Sequence, residues 1–453
     1  MILSCHKVIC NYMLKSFAEN NNRFSIMKNI IPAVKGTREF YPEDMVVRQW
    51  LYALIREVSE SFGYQEYDGP FLETLELYAA KSGEELVKEQ SFVFNDRGGN
   101  EVALRPELTL SLARMIAQRQ NELVFPLRWW SFGPFWRYEK PQKGRTREFF
   151  QWNADLIGVD SPQADAEVIA LCATFFKKAG LVPQEVQIFI NDRQLMETEL
   201  IKRGFPQEQH KNVFRMIDRR DKLSLAGWEA FVKDNGCTNE QFVQLRAVIE
   251  DKELWHSSPK ITHIFQILDF YGVGDYVSYD PRIIRGLDYY TGIVFEAKDI
   301  GEKNRAILGG GHYANLVEDV GGNSLPGVGF AMGDVVFPLV LESYGKLPSL
   351  PTMPARILVT VFDDDSYKAS VALCNRLRVV DINAVLYPEP DKLGKQFKYA
   401  DRCGFKAALV IGPDELSRGE IVLKDLATRE QISFPNEELE DRIKQWLAAE
   451  KSS

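Results

Sequence analysis

The stretch LRWWSFGPFWRYEKPQKGRTREFFQWNADLIG, residues 127–158, holds two long strand-like runs joined by a polar reversal. The first run is Leu127–Glu139 and the second is Arg147–Gly158; the connection KPQKGRT supplies the Gly and Pro of a turn. Side chains alternate across a strand, so Phe149, Gln151, Asn153 and Asp155 point one way and Phe150, Trp152, Ala154 and Leu156 the other. The second set is a packed core. The first set is a polar row in a segment otherwise built for burial, and such a row needs partners, either solvent or a ligand. On the first run Arg137 and Glu139 share a face, opposite Trp136 and Tyr138. The turn adds Lys140, Lys143, Arg145 and Arg147 and no acid. An arginine inside a strand beside a basic turn suits a polyphosphate, because guanidinium groups grip phosphate oxygens bidentately. A surface hairpin with solvated charges fits the bare pattern equally well.

Outward from this pair, apolar residues at helical spacing (Val46, Val47, Trp50, Leu51, Leu54, Ile55, Val58) predict a helix over 43–62 that stops near Gly63. Tyr67–Phe71, broken by Gly69-Pro70, reads as an edge or interface strand. Residues 105–118 read as a helix with Pro106 in its first turn. From about 192 to 258 the pattern turns helical and highly charged, an insertion within a strand-rich region. TGIVFEA, RAILGGG and GVGFAMG then read as core strands and GDVVFPLVLESYG as a helix. GKLPSLPTMP, residues 345–354, is a Pro-rich linker. Beyond it, strands ARILVTVF, INAVLYP and AALVIG alternate with helical stretches, followed by a hairpin-like EIVLKDLATREQISF and a last helix. Such alternation predicts a small α/β domain on a mostly parallel sheet.

A chain of 453 residues is too long for one ordinary core. Its hydrophobic share of 45% and charged share of 26% are those of folded domains. The formal net charge of -9 excludes nucleic-acid binding through the overall field, so any such contact must come from local basic patches. The cysteines Cys5, Cys10, Cys172, Cys237, Cys374 and Cys403 form no CxxC pair, which suggests neither a zinc site nor a disulfide framework and fits a reducing cytoplasm. No apolar run approaches the ~20 residues of a membrane span. Residues 1–26 lack the features of a secretory signal, and Glu19 and the Asn tract speak against a transit peptide. They read as a floppy extension, with Met27 as the functional first residue.

FWRYEKPQKGRTREFFQ (135–151) resembles motif 2 of class II aminoacyl-tRNA synthetases in the form typical of the histidine enzymes. LRPELT (104–109), RGLDYYTG (285–292) and GGGHYANLVEDVGG (309–322) resemble histidyl-tRNA synthetase signatures. LGKQFKYADRCGFKAALVIG (393–412) is similar to the class IIa anticodon-binding domain. The pieces stand in the family's order from about residue 27 to the end. The resemblance implies an α+β catalytic domain over 27–344 with a central antiparallel sheet and the helical insertion, a linker over 345–354, and a C-terminal α/β anticodon-binding domain over 355–453. It implies ATP-dependent activation of histidine, transfer to tRNA(His), Mg²⁺ accompanying ATP, and a homodimer formed through the 43–72 region. The competing expectation is a catalytically silent regulatory paralogue; the retained C-terminal domain and basic motif 2 loop argue against it.

The resemblance also implies residue roles. Arg137 holds the ATP α-phosphate and the amino-acid carboxylate, where negative charge grows in the transition state. Glu139 accepts from the adenine amino group, Phe149 stacks on the ring, and Arg145 reaches the distal phosphates. Arg285 joins Arg137 as the second catalytic cation, and Tyr290, with Tyr289 beside it, contacts histidine. Glu107 and Thr109 bind its α-amino group and Gln151 also touches it. Asp155 accepts from one imidazole N–H and Tyr313 completes the other side; many family members carry Glu where this chain has Asp155. A pocket of this kind rejects apolar analogues, which would leave its polar groups unpaired. The glycines 309–311 match a loose dinucleotide pattern, but close backbone approach in the substrate pocket is the preferred reading. Gln142 and Lys143 are expected at the tRNA acceptor end, and Lys395 and Lys398, spaced three apart with Lys392 and near Arg402, at the anticodon. No protein motif encodes a metal cage. One departure stands out: in GFAMGDVVF, Val336 occupies the place of the motif 3 arginine that holds the γ-phosphate.

Overall fold

The computed structural model describes residues 30–79, 90–142, 144–285, 289–301 and 306–450. Two compact units divide them: 30–39 with 58–343, and 40–57 with 344–450. The first helix is Pro42–Ser61, against the expected 43–62.

The larger unit carries the strands β1 (Gln65–Glu66), β2 (Leu72–Thr74), β3 (Phe92–Asn95), β4 (Glu101–Leu104), β5 (Leu127–Trp136), β6 (Glu148–Ile157), β7 (Val186–Asp192), β8 (Val277–Tyr279), β9 (Tyr290–Asp299), β10 (Leu308–Tyr313) and β11 (Gly327–Gly333). Eight of them form one sheet in the order β1-β5-β6-β11-β10-β9-β7-β8, and β2-β4-β3 make a small second sheet. From β5 to β7 every pairing is antiparallel; only the edge pairs β1·β5 and β7·β8 are parallel. The predicted antiparallel hairpin is the β5–β6 pair, in register from Leu127 opposite Ile157 to Trp136 opposite Glu148.

The alternation read on β6 separates two faces. Trp152, Ala154 and Leu156 are buried, and Trp152 packs edge-on to Phe330 (4.6 Å) and against Phe175 (5.0 Å). Phe175 belongs to the helix Pro162–Lys178, whose apolar residues Val168, Ile169, Leu171 and Phe176 are also wholly buried. That helix starts sharply because Ser161 accepts from the Ala164 N–H and Pro162 occupies the first turn. The opposite face of the sheet is left for the polar row.

Three local expectations fail for physical reasons. No strand forms over Tyr67–Phe71: β1 ends at Glu66 and β2 begins at Leu72, on either side of Gly69-Pro70. The helix expected over 105–118 begins only at Thr109, so Pro106 lies outside its first turn. Residues preceding a proline avoid the helical region, and the Arg105 backbone is occupied on both sides, its N–H donating to Phe71 and its carbonyl accepting from Trp136. The strand expected to reach Glu139 ends at Trp136; only the Arg137 N–H, donating to the Arg147 carbonyl, carries the ladder one step further. Between 192 and 258 lie four α-helices, Arg193–Lys202, His210–Asp218, Leu225–Asp234 and Asn239–Glu250, with short 3-10 turns including Arg220–Lys222, among the described residues.

The second unit holds β12 (Ile357–Val359), β13 (Ala384–Leu386), β14 (Ala407–Val410), β15 (Glu420–Asp425) and β16 (Gln431–Pro435) in the order β13-β12-β14-β15-β16. The first three run parallel and the last two add an antiparallel hairpin, as the α/β alternation predicts. Its core gathers Ile357, Val359, Leu377, Leu409, Ile421, Phe434 and Ile443.

Candidate active site

A cleft of about 1070 Å³ opens on the polar face of β6, large enough for a nucleotide and an amino acid together. Phe149, Gln151, Asn153 and Asp155 form one wall. Arg137, Glu139 and Arg145 enter from the hairpin end, and Glu107 and Thr109 from the start of the helix Thr109–Arg119. Arg285 and Tyr289, Tyr290 on β9 and Tyr313 on β10 close the remaining sides. Thus the residues expected at the ATP and histidine sites all line one cavity. Gln142 lies at the hairpin turn, bridged to Arg145. Lys143 falls outside the described residues, as do 286–288 of the RGLDYYTG segment and the 1–26 extension. Lys395 and Lys398 sit exposed on the helix Leu393–Cys403 of the other unit.

Each group is held by identifiable contacts. Arg137 donates from Nε to the Pro106 carbonyl (2.9 Å), so the irregular 105–108 segment is what anchors it. Its guanidinium lies 5.4 Å from the centre of the Phe149 ring, which in turn stacks on Phe135 at 5.9 Å. Arg145 and Glu139 pair with each other at 2.8 Å across the turn. Both are therefore spoken for until a nucleotide competes, and this exposed pair is of the kind that costs little to break.

At the floor, the Tyr313 hydroxyl donates to Asp155 Oδ1 (2.9 Å), and both side chains are almost fully buried. Burial pushes the Asp155 carboxyl up to about 7, with the Tyr313 hydrogen bond opposing the shift. Tyr289 and Tyr290 stand edge to face at 4.9 Å, and burial raises both phenols. The chain can crowd these groups together because the neighbouring strands are glycine-rich. A Cβ on Gly329, opposite Asp155 across β6·β11, would strike its carboxylate; one on Gly309 would strike the Arg285 guanidinium. Gly309 and Gly329 both line the cleft and leave room for the side chains that surround it.

The missing motif 3 cation stays missing. Val336 lines the cleft as an apolar side chain close to Gly144 at the hairpin turn. Two residues earlier, Asp334 takes Arg38 Nη2 (2.8 Å) and the Phe150 N–H (2.9 Å), tying the N-terminal segment to β6.

A family model described as "Histidyl-tRNA synthetase" matches residues 36–334. The chain belongs to the histidyl-tRNA synthetase family. A model described as "Anticodon binding domain" matches residues 356–446. Among relatives, the histidine–tRNA ligase of Leptospira biflexa is 35% identical over 429 residues, covering 91% of this chain and 97% of that protein. The chloroplastic/mitochondrial histidine–tRNA ligase of Arabidopsis thaliana is 36% identical and covers 90% of this chain and 85% of its own length. Among solved structures, histidyl-tRNA synthetase from Nostoc sp. PCC 7120 superposes with a TM-score of 0.78 at 26% identity, over 92% of this chain and all of that one.

Several cleft residues were not singled out from the sequence of this family member: Asp218 and Asp221 from the helical insertion, Arg282, and Glu296 and Lys298 on β9. Glu296 and Lys298 carry the same signal as the β6 row, polar residues two apart in an otherwise apolar strand. The insertion residues carry none, because a charged helical segment reads as a solvated face.

Proposed function

We propose that the protein activates histidine with ATP and transfers it to the 3′ end of tRNA(His). The histidine carboxylate attacks the α-phosphorus, pyrophosphate leaves, and histidyl-adenylate remains; a terminal tRNA hydroxyl then attacks the carbonyl and AMP leaves. The observation that carries this reading is the buried Asp155–Tyr313 pair on the same cleft wall that leads to Arg137 and Arg285. A carboxylate and a phenol at one floor fit the two nitrogens of an imidazole. Arg137 and Arg285 then supply positive charge where the pentavalent phosphorus gathers negative charge. Phe149 offers a stacking face for adenine, and Glu139, released from Arg145, an acceptor for its amino group. Lys222, Arg282 and Lys298 line the cleft as well and provide cations for the distal phosphates in place of a motif 3 arginine. Glu107 and Thr109 face the substrate ammonium, and Gln151 its flank.

Among the described residues no group of three His, Cys, Asp or Glu could hold a metal ion. The scattered, largely ion-paired carboxylates of the cleft fit Mg²⁺ carried in on phosphate oxygens, where it would offset the phosphate charge. Gln142 and Lys143 would meet the tRNA acceptor end, Lys395 and Lys398 the anticodon side. A homodimer through the 43–72 region is supported by the exposed apolar residues Phe71 and Leu72 at its end, with Val93 and Phe94 exposed on the same small sheet as Leu72. The thiols of Cys172, Cys237, Cys374 and Cys403 are free, in keeping with a cytoplasmic setting, and no described helix is long and apolar enough to cross a membrane. The regulatory alternative is disfavoured by the retained anticodon-binding domain and by the gathering of the expected ATP-site and histidine-site residues in one cleft.

The test is amino-acid-dependent exchange of pyrophosphate into ATP without tRNA. Exchange is expected with histidine and not with threonine or proline. No exchange with histidine, or equal exchange with the other two, would refute the proposal.

A further inference from the structure

Arg285 reaches the cleft from a backbone in the left-handed region (φ 58°), and its guanidinium rests on Gly309. Its Nη1 donates to Glu296 Oε2 at 2.6 Å, while its Nε is buried and has no hydrogen-bond partner among the described residues. Glu296 is the residue directly across the β9·β10 ladder from Gly309, so floor and anchor are one cross-strand pair. The other oxygen of Glu296 is also taken: Lys298 Nζ lies 3.2 Å from Oε1. Lys298 in turn lies 3.9 Å from Asp221 Oδ2, and Asp221 Oδ1 accepts from Arg282 at 3.0 Å. Asp221 comes from the helical insertion, Arg282 from the segment leading into Arg285. An unbroken line of alternating charges thus runs from the insertion to the guanidinium.

We propose that Glu296 is the positioning residue for Arg285, and that Asp221 of the insertion tunes this hold through Lys298. The inference rests on the reading of Arg285 as the cation that meets the reacting phosphate. A long, flexible side chain gains a fixed geometry only from anchors. Here the anchors are a glycine surface and one carboxylate, shared between Arg285 and Lys298. With Asp221 drawing on Lys298, more of the Glu296 charge is left to Arg285. A nucleic-acid end docking on the insertion would act on the same line.

The experiment combines kinetics with a direct view of the side chain. Histidine-dependent pyrophosphate exchange is measured for the full-length wild type, Glu296→Gln, Glu296→Asp, Asp221→Asn, and each change combined with Arg285→Lys. The Arg285 guanidinium resonances are followed by ¹⁵N NMR, assigned by their loss in Arg285→Lys. We expect Glu296→Gln to lower kcat at least tenfold, Glu296→Asp to recover part of it, and the Glu296→Gln loss to shrink severalfold in the Arg285→Lys background. Asp221→Asn should lower kcat severalfold, and by less in the Arg285→Lys background. The guanidinium signals should broaden or average in Glu296→Gln. Unchanged guanidinium signals, or equal losses in both backgrounds, would overturn the positioning role. An unchanged rate in Asp221→Asn would remove the insertion from it. A wild type inactive with histidine would count against the proposed function instead, and the NMR comparison would still decide the positioning of Arg285.

Discussion

Asp155 is the residue at which chemistry and stability pull against each other. A buried carboxyl hydrogen-bonded by only one phenol is well suited to receive an imidazole N–H, yet until substrate arrives its charge is poorly compensated. Its proton affinity is raised in the folded state, to about 7 against an ordinary 3.8. The folded form therefore holds the proton that the unfolded chain has already released. The stability contributed by that proton is complete below about pH 4 and is lost as pH rises towards 7. Asp155→Asn is uncharged throughout. Its melting temperature relative to wild type should climb from pH 5 to about pH 7 and level off by pH 8, while histidine-dependent exchange falls at least a hundredfold. Thermal unfolding of the two proteins at four pH values checks this; a constant difference would mean that the carboxyl is already ionised at pH 5.

At the scale of elements, the β5–β6 hairpin shows how much could be read in advance and where reading stopped. Its two faces and its turn follow from period-two alternation, because a strand buried on one face imposes that pattern on its residues, whereas the gathering of Arg137, Phe149 and Asp155 at one site came from the family resemblance. What the pattern did not contain was anchorage. The Pro106 carbonyl that holds Arg137 belongs to a segment that looked helical, and only the tertiary hydrogen bonds of Arg105 keep it extended. Glu296 and Lys298 were legible by the same alternation; Asp221 was not, since nothing local says which helix face turns towards a cleft. The hairpin makes a prediction of its own. Phe149 is braced by Phe135 behind and Arg137 above, so its ring is preset for stacking. Phe149→Leu keeps the volume roughly and loses the flat face, a change of about 0.5–1.5 kcal/mol. The KM for ATP should rise about two- to twelvefold with the KM for histidine unchanged. Steady-state exchange with each substrate varied separately distinguishes this from a general loosening of the cleft, in which both constants would rise.

On the scale of the whole molecule, an acidic chain has to bring a polyanion to its surface. The net charge of -9 opposes this at long range, so attraction must come from patches that act within a Debye length of about 10 Å. The helix Leu393–Cys403 is such a patch, with Lys395, Lys398 and Arg402 exposed on it. Lys395 is paired with Asp391 at 3.1 Å, but surface pairs of this kind contribute little and leave the ammonium free to exchange partners. A phosphate backbone offers it a better one. Because these lysines lie in one unit and the activation cleft in the other, the two halves of the proposed reaction should separate by mutation. Lys395→Glu with Lys398→Glu should leave pyrophosphate exchange at its wild-type rate, since that step needs no tRNA. The same double variant should raise the KM for tRNA(His) about tenfold or more in aminoacylation. It should also flatten the salt dependence of tRNA binding by about two in log–log slope, one for each ammonium that no longer neutralises a phosphate. Unaltered charging of tRNA(His) by the double variant would move the nucleic-acid footprint off this helix. A parallel fall in exchange would mean that the two units do not work as separable parts.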